Sequence, residues 1–297
     1  FEGTAKFVRA SSVGDNFIAV NEQGEVFYYS VERDDLALRQ TFQPFGDLDD
    51  PRVGSIEYVI GEITFVATAY DGTVRAFSLF RPEGEPRRIW GETKEFLPLE
   101  GGEAEFFFAS PRNKSFFYGR DGRARLTNLT AEADRWRGEI PTDPLAVALD
   151  GKGEAALILD QEGVLHHLHI HDEHPSSSAQ AYFGRIWYEG RNRPEYLWQS
   201  TGGSDAFESK LSMVPLIIGT LKGTLYAMLF AVPIALLAAV YVAAFVSPKA
   251  KKIIKPTMEI MASLPSVVLG FLGGLVLAPY LDGRVPSFLC AILVLPL

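Results

Sequence analysis

All five histidines of this 297-residue chain fall in one stretch, GVLHHLHIHDEHPSS: His166, His167, His169, His171 and His174. Imidazole is the commonest protein ligand for transition metals and titrates near neutral pH. If the stretch is a strand, alternate residues share a face, and His167, His169 and His171 lie together. Side chains two apart sit about 6.6 Å apart at Cα, so His167 and His169 can reach one zinc ion. A third strand histidine lies about 13 Å from the first, too far for one ion to bind all three. The reading taken is a polar strand without metal, with His167 and His169 as the candidates should an ion bind.

The strand reading follows from a repeat. NFIAVNEQGEVFYYSVE (16–32), TFVATAYDGTVRAFSLF (64–80), SFFYGRDGRARLTNLT (115–130) and AALILDQEGVLHHLHIH (155–171) each join two apolar runs through a polar turn. The turns end in Gly24, Gly72, Gly122 and Gly163, spaced 48, 50 and 41 residues apart. Glycine suits these turns because it tolerates positive φ, and Asp-Gly is a strong hairpin signal. Short strands recurring at 40–50 residues predict β-propeller blades, with KFVRAS, AEFFFAS and LAVALD as outer strands. A β-sandwich is the competing fold. In this register His166, His167 and His169 take the places of Phe27, Tyr28 and Ser30 in the first repeat.

No Ser-His-Asp order, paired-carboxylate motif, phosphate loop or CxxC stands out, so no enzyme and no cofactor is expected. Asp34, Asp35, Asp47, Asp49 and Asp50 lack the spacing and central glycine of a calcium loop and read as solvated loop charges. The single cysteine, Cys290, permits no intrachain disulfide.

Charge divides the chain. Residues 1–210 carry a net charge of −13, whereas residues 211–297 hold only eight charged side chains and a net of +4. The acidic part lacks the basic surface that nucleic-acid binding needs. In the apolar part, TLYAMLFAVPIALLAAVYVAAFV (224–246) is 23 residues without a charge, enough to cross a hydrocarbon core of about 30 Å. Pro233 within it is tolerated in a membrane helix. Lys249, Lys251, Lys252 and Lys255 follow at once, which predicts a cytoplasmic loop and places residues 1–210 on the opposite, periplasmic face of a bacterial inner membrane. A second span is expected over 260–281, kinked at Pro265, and a third begins at 286–297. The expected organisation is a periplasmic propeller-like domain over 1–190, a lead-in over 191–212 and membrane spans over 213–297. The start at Phe1 and the unfinished last span suggest a stretch of a longer protein, with further blades upstream.

The segment IKPTMEIMASLPSVVLGFLGGLVLAPYL (254–281) carries a pattern: Lys255-Pro256, Glu259, Ser263-Leu264-Pro265-Ser266-Val267-Val268 and Gly270-Phe271. It resembles the permease subunits of phosphate-type, binding-protein-dependent ABC importers, as does IIGTLKGTLYAMLFAVPIALLAAVYVAAFV before it. WQSTGGSDAFESKLSMVPLIIGTL is similar to the lead-in of a subgroup with a large periplasmic insertion. The likeness covers about residues 196–297. It implies a channel-forming subunit for inorganic phosphate or a similar oxyanion. Implied partners are a cytoplasmic ATPase, a second permease subunit, a periplasmic solute-binding protein and membrane lipid. Two departures stand out: the family's initial membrane helix and its ATPase-docking EAA-type loop are absent from this sequence. The residues carried over are Gly219, Thr220, Glu259, Pro265, Ser266 and Gly270. Glu259 reads equally as a functional intramembrane carboxylate or as a partner of Lys255 at i,i+4. Ser266 lines a pathway or satisfies a carbonyl freed by the kink. The competing functions are a membrane-anchored periplasmic sensor and a metal-dependent periplasmic enzyme built on the histidines.

Overall fold

The computed structural model describes every residue except 1–3, 33–34, 141–143, 153, 205 and 295–297. Asp34 and the end of the expected third span therefore lie outside the described residues. The chain forms two compact units, Phe1–Leu221 and Lys222–Leu297.

The first unit is built from antiparallel meanders. β1 (Ala5–Ala10), β2 (Asn16–Asn21), β3 (Val26–Glu32) and β4 (Asp35–Phe42) form one sheet. β5 (Val53–Tyr58), β6 (Thr64–Ala69), β7 (Val74–Phe80) and β8 (Ile89–Phe96) form the second. β9 (Phe106–Ala109), β10 (Ser115–Arg120), β11 (Arg123–Asn128) and β12 (Ala133–Glu139) form the third. β13 (Ala146–Leu149), β14 (Ala155–Leu159) and β15 (Leu165–His169) form a three-stranded fourth. The first strands β1, β5, β9 and β13 lie side by side in that order. The sheets stack face to face, an arrangement compatible with a propeller-like domain.

Three apolar seams hold the stack. Ile18, Val20 and Val26 meet Ile56, Phe65 and Phe77 between sheets one and two. Val66, Val74 and Ala76 meet Phe107, Phe116 and Tyr118 between sheets two and three. Phe117, Ala124 and Leu126 meet Val147, Ala156 and Ile158 between sheets three and four. Every residue of β6 is buried, because its two faces each meet a neighbouring sheet. β15 alternates between exposed and half-buried, as a strand with one covered face must.

The repeat seen in the sequence is a repeat of backbone geometry. Gly24, Gly72, Gly122 and Gly163 all have positive φ, from 69° to 93°. Asp121 joins Gly122 at φ 49°, giving the two-residue turn with both central residues left-handed that Asp-Gly favours. Four to five residues after each of the first three glycines, the pairing of third and fourth strands slips register. The slips fall at Tyr28/Tyr29, Ala76/Phe77 and Leu126/Thr127. A bulge at this point increases local twist, and its recurrence makes the three sheets alike.

Residues after β15 fold back onto the sheets. Ser178 caps α1 (Ala179–Phe183), accepting from the Ala181 N–H at 2.9 Å and donating to the Ala131 carbonyl at 2.7 Å. β16 (Trp198–Gln199) pairs with β17 (Lys210–Leu211), and Ile186 bridges Glu195. The expected lead-in 191–212 is thus partly folded, with Glu208 and Ser212 buried. Its Gly- and Ser-rich composition conceals this, because the groups it buries are polar.

α2 (Val214–Ala244) starts ten residues before the predicted span and carries Pro233 inside it. In the second unit, the stretch read as a basic loop is instead the start of α3 (Pro248–Ser263), capped by Ser247 with proline in its first turn. α4 (Ser266–Leu272), a π-helical turn over Gly273–Leu277, α5 (Ala278–Leu281) and α6 (Val285–Val294) follow. Among the described residues, α2 alone is a single helix long and apolar enough to cross a membrane. The helices Pro248–Ser263 and Ser266–Leu281 make a second if they form one broken span, bent by 82°.

The turn glycines give a graded test. A Cβ on Gly24 would lie 2.1 Å from the Pro51 carbonyl oxygen and one on Gly72 2.2 Å from that of Leu99, while one on Gly163 meets nothing within 4 Å. Gly163→Ala should cost only the left-handed penalty, about 1–2 kcal/mol, and Gly24→Ala or Gly72→Ala distinctly more. Thermal unfolding followed by the β-sheet circular dichroism signal checks the order.

Candidate functional site

The histidine strand forms one wall of a cleft. In β15, His166, His167 and His169 stand opposite Ile158, Leu157 and Ala155 of β14. The residues have distinct tasks. His166 Nε2 lies 2.7 Å from Asp160 Oδ2, and Asp160 Oδ1 accepts the N–H groups of Glu162 and Val164 at 3.0 and 2.8 Å. The His166 contact first, and then the Val164 N–H, hold the Asp160 carboxyl below the usual range. His166 therefore braces the Gly163 turn. His169 and His171 stack at 6.4 Å between ring centroids, and exposed His171 sits 3.7 Å from Glu173. Among the described residues, no three His, Cys, Asp or Glu side chains gather as a metal site, so His167 and His169 acquire no third ligand there.

His169 and His171 border a cavity of about 270 Å³ between sheets three and four, with Phe117, Leu126 and Trp136 among its walls. Arg135 and Asp172 close one side through a bidentate pair at 2.7 and 2.8 Å. A neighbouring cavity of about 570 Å³ shares both histidines and adds Arg112, Lys152 and Glu154. An apolar floor with a rim of imidazoles and charges of both signs suits a small ligand with one apolar face. Two of the loop carboxylates read as solvated also carry ion pairs while staying at least partly exposed: Asp47 with Arg75 at 2.6 Å and Asp50 with Arg52 at 2.5 Å. Each arginine holds its partner's carboxyl at about 2.

A second polar cluster lies buried where the chain turns toward α2. Lys114, just before β10, donates to the Ile60 carbonyl and to Glu189 Oε2, the latter at 2.7 Å. Glu208 accepts the Glu189 N–H and the Thr130 hydroxyl, each at 2.8 Å. The side chains of Lys114 and Glu189 are 4% and 7% exposed. Lys114 pairs with Glu189 alone, while Glu208 is held by Thr130 and the Glu189 backbone. Burial first, and then the charge of Glu208, push the Glu189 carboxyl up, against the pull of Lys114. Sequence reading missed this cluster because its members are 75 and 78 residues apart in their pairings and follow no motif.

The residues carried over from the permease pattern fall on helices. Gly219 and Thr220 lie on α2, where the Thr220 hydroxyl donates to the Ile217 carbonyl at 2.9 Å. Glu259 lies on α3, and among the described residues it makes no ion pair with Lys255. Pro265 is the N-cap of α4, Ser266 its first residue and Gly270 one turn further on. The Pro265 carbonyl accepts the Val268 N–H at 3.0 Å. The hydroxyl that returns to a helix carbonyl at this break belongs to Ser263, on Ile260 at 2.7 Å.

No family model matches the chain, and no curated protein matches it. Among solved structures, two crystal structures of Sqt1 from Chaetomium thermophilum align with it at 12% identity and a TM-score of 0.46. Each alignment covers 57% of this chain and 44% of the Sqt1 chain.

The Lys114–Glu189–Glu208 cluster sets two expectations. Lys114→Met leaves the buried Glu189 carboxyl without its ammonium partner and should cost about 3–5 kcal/mol. The folded chain also holds the Glu189 proton more tightly than the unfolded chain does. Stability should therefore fall as pH rises from the ordinary carboxylate range through the raised Glu189 value, then level off. Unfolding midpoints between about pH 4 and 8 should show a flatter slope for Glu189→Gln; an unchanged slope would assign the dependence to other groups.

Proposed function

We propose that this chain belongs to the transmembrane permease subunit of an ABC importer for inorganic phosphate or a similar oxyanion. Residues 1–210 then form an extracytoplasmic propeller-like docking or regulatory domain. The observation that carries the reading is the LPSVVLGF segment. Its residues sit on a helix pair bent by 82°, with the break at the Leu264-Pro265 pair of the motif. Bent helices whose backbone groups open toward a cavity are how membrane proteins build solute pathways. The apolar helix α2 and the lysines that open α3 support an inner-membrane topology with those lysines in the cytoplasm.

In this reading the chain performs no bond chemistry. A separate cytoplasmic ATPase supplies free energy, a periplasmic binding protein delivers the solute, and a second permease subunit completes the pathway. Glu259 and Ser266, on either side of the break, are the polar groups available to it. A membrane-anchored sensor is the second reading, favoured by the cleft at His169 and His171, which offers a ligand site remote in sequence from the helices.

Labelled phosphate uptake separates the two. Deleting the gene is expected to abolish high-affinity uptake under phosphate starvation. Pro265→Ala, which lets α3 and α4 run on, is expected to lower uptake with normal membrane abundance. Unchanged uptake in the deletion strain would discard the phosphate assignment.

A further inference from the structure

The residues between the sheets and α2 form a small platform. Backbone bonds join its segments: Ile186 to Glu195 at 3.2 Å, Ser212 to Leu197 at 3.0 Å and Met213 to Tyr182 at 2.8 Å. Its inner side is anchored by Ile186 and Tyr188, both fully buried, and by Trp187, whose ring lies 5.3 Å from Phe80 of β7. Other side chains of the platform are the reverse. Phe183, Tyr196, Trp198 and Met213 are 57, 37, 46 and 39% exposed. Arg185 lies over the Tyr196 ring at 5.3 Å. Among the described residues, Arg185 and Arg191 have no carboxylate partner.

Exposed aromatic rings, together with guanidinium groups that no carboxylate neutralises, suit a contact surface. We infer that this platform seats in the headgroup layer of an anionic phospholipid bilayer. Two features select lipid. First, no polar spacer separates the platform from the apolar helix: Met213 is followed at once by Val214, and Leu216, Ile217, Ile218 and Leu221 are already exposed. Lys222 is the single charge between Met213 and Val246, and a lysine stem can carry its head outward. The passage from water to hydrocarbon therefore has no loop on which to fall and falls on the platform. Second, the side chains suit that layer. Trp and Tyr concentrate at membrane–water boundaries, where an apolar ring and a polar edge are both accommodated. Arginine pairs with phosphate oxygens. The cations on this surface stand out in a region whose net charge is −13.

The inference rests on the membrane reading above, and its test keeps the two apart. The full chain is reconstituted into phosphatidylcholine vesicles with and without phosphatidylglycerol. Flotation after an alkaline wash reports membrane insertion; a chain that fails to float removes the membrane reading and this inference with it. In floated samples, the fluorescence difference between the wild-type chain and Trp198→Phe isolates Trp198. Lipids brominated near the top of the acyl chain are expected to quench that component. The Arg185→Glu/Arg191→Glu double variant is expected to lose much of the quenching, with the larger loss in phosphatidylglycerol vesicles. Two results on a floated chain overturn the inference: a Trp198 component untouched by brominated lipid and freely quenched by aqueous acrylamide, or one shielded from both, which points to protein contact instead.

Discussion

A four-stranded antiparallel sheet has two faces, and the first unit is organised by the need to cover both. β6 shows this most clearly. Phe65, Ala67 and Ala69 face sheet one, while Val66 faces sheet three, and the whole strand is buried. At about 25 cal/mol per Å² of apolar surface, each seam of aromatic and branched side chains contributes several kcal/mol, while an uncovered face contributes little. Sheets two and three, covered on both sides, hold four of the largest fully buried rings: Phe65, Phe116, Phe117 and Tyr118. Stacking of this kind also sets the loops. Gly24 and Gly72 sit so close to Pro51 and Leu99 that no side chain fits, because the connection leaving each sheet must pass under the hairpin turn to reach the next.

Apolar contact alone allows sheets to slide, and long cations pin the seams. Arg9 reaches from sheet one to Glu57 of sheet two at 2.6 Å. Gln40 clasps the Trp90 backbone with both ends of its amide, at 2.7 and 2.8 Å. Lys94 of sheet two donates to the Leu129 carbonyl at 2.9 Å, and Lys114 joins sheet three to Ile60 and Glu189. Arg135 ties sheet three to Asp172, beyond the fourth sheet. A buried ammonium group left unpaired costs several kcal/mol, so Lys94 and Lys114, each 4% exposed, accept one alignment of neighbouring sheets and penalise the others. Lys114 differs in serving two purposes, since its carboxylate partner lies in the segment that leads to α2.

What the sequence disclosed follows the range of the interaction responsible. Turn glycines act over four residues, and the Gly24, Gly72, Gly122 and Gly163 register predicted each hairpin it named. Strand alternation acts over two, and it described β15, although not that His166 would be spent on bracing a turn. Interactions across long separations were invisible: nothing in EGRNRPEYLWQSTGGSDAFESK announces that Glu189 will meet Lys114 and Glu208 will meet Thr130. Helix ends fell in between. Residues 214–223 fall outside the predicted span because Lys222 and Gly223 interrupt the charge-free run, yet helical hydrogen bonding is indifferent to one exposed lysine. The same reasoning misread 247–258 as a loop. Four lysines signal membrane topology, but Ser247 followed by Pro248 is a helix start.

The LPSVVLGF segment and the histidine strand differ in what their backbone accomplishes. Around Leu264 and Pro265 the chain leaves helical geometry, with Leu264 at ψ 132° and Pro265 at ψ 122°, then resumes it in a new direction. A residue before proline is driven from the helical region by contact with the ring, so Leu264-Pro265 favours this break, although Pro233 and Pro256 stay within α2 and α3. In lipid such a break exposes backbone groups that need partners, which is tolerable only beside a polar pathway or another protein surface. The histidines impose nothing comparable: β15 would pair with β14 with almost any polar residues in their place. A motif that dictates backbone geometry constrains function more tightly than a cluster of reactive side chains on a permissive strand. On that ground the helices, with fewer titratable groups, say more about what this chain does than the imidazoles.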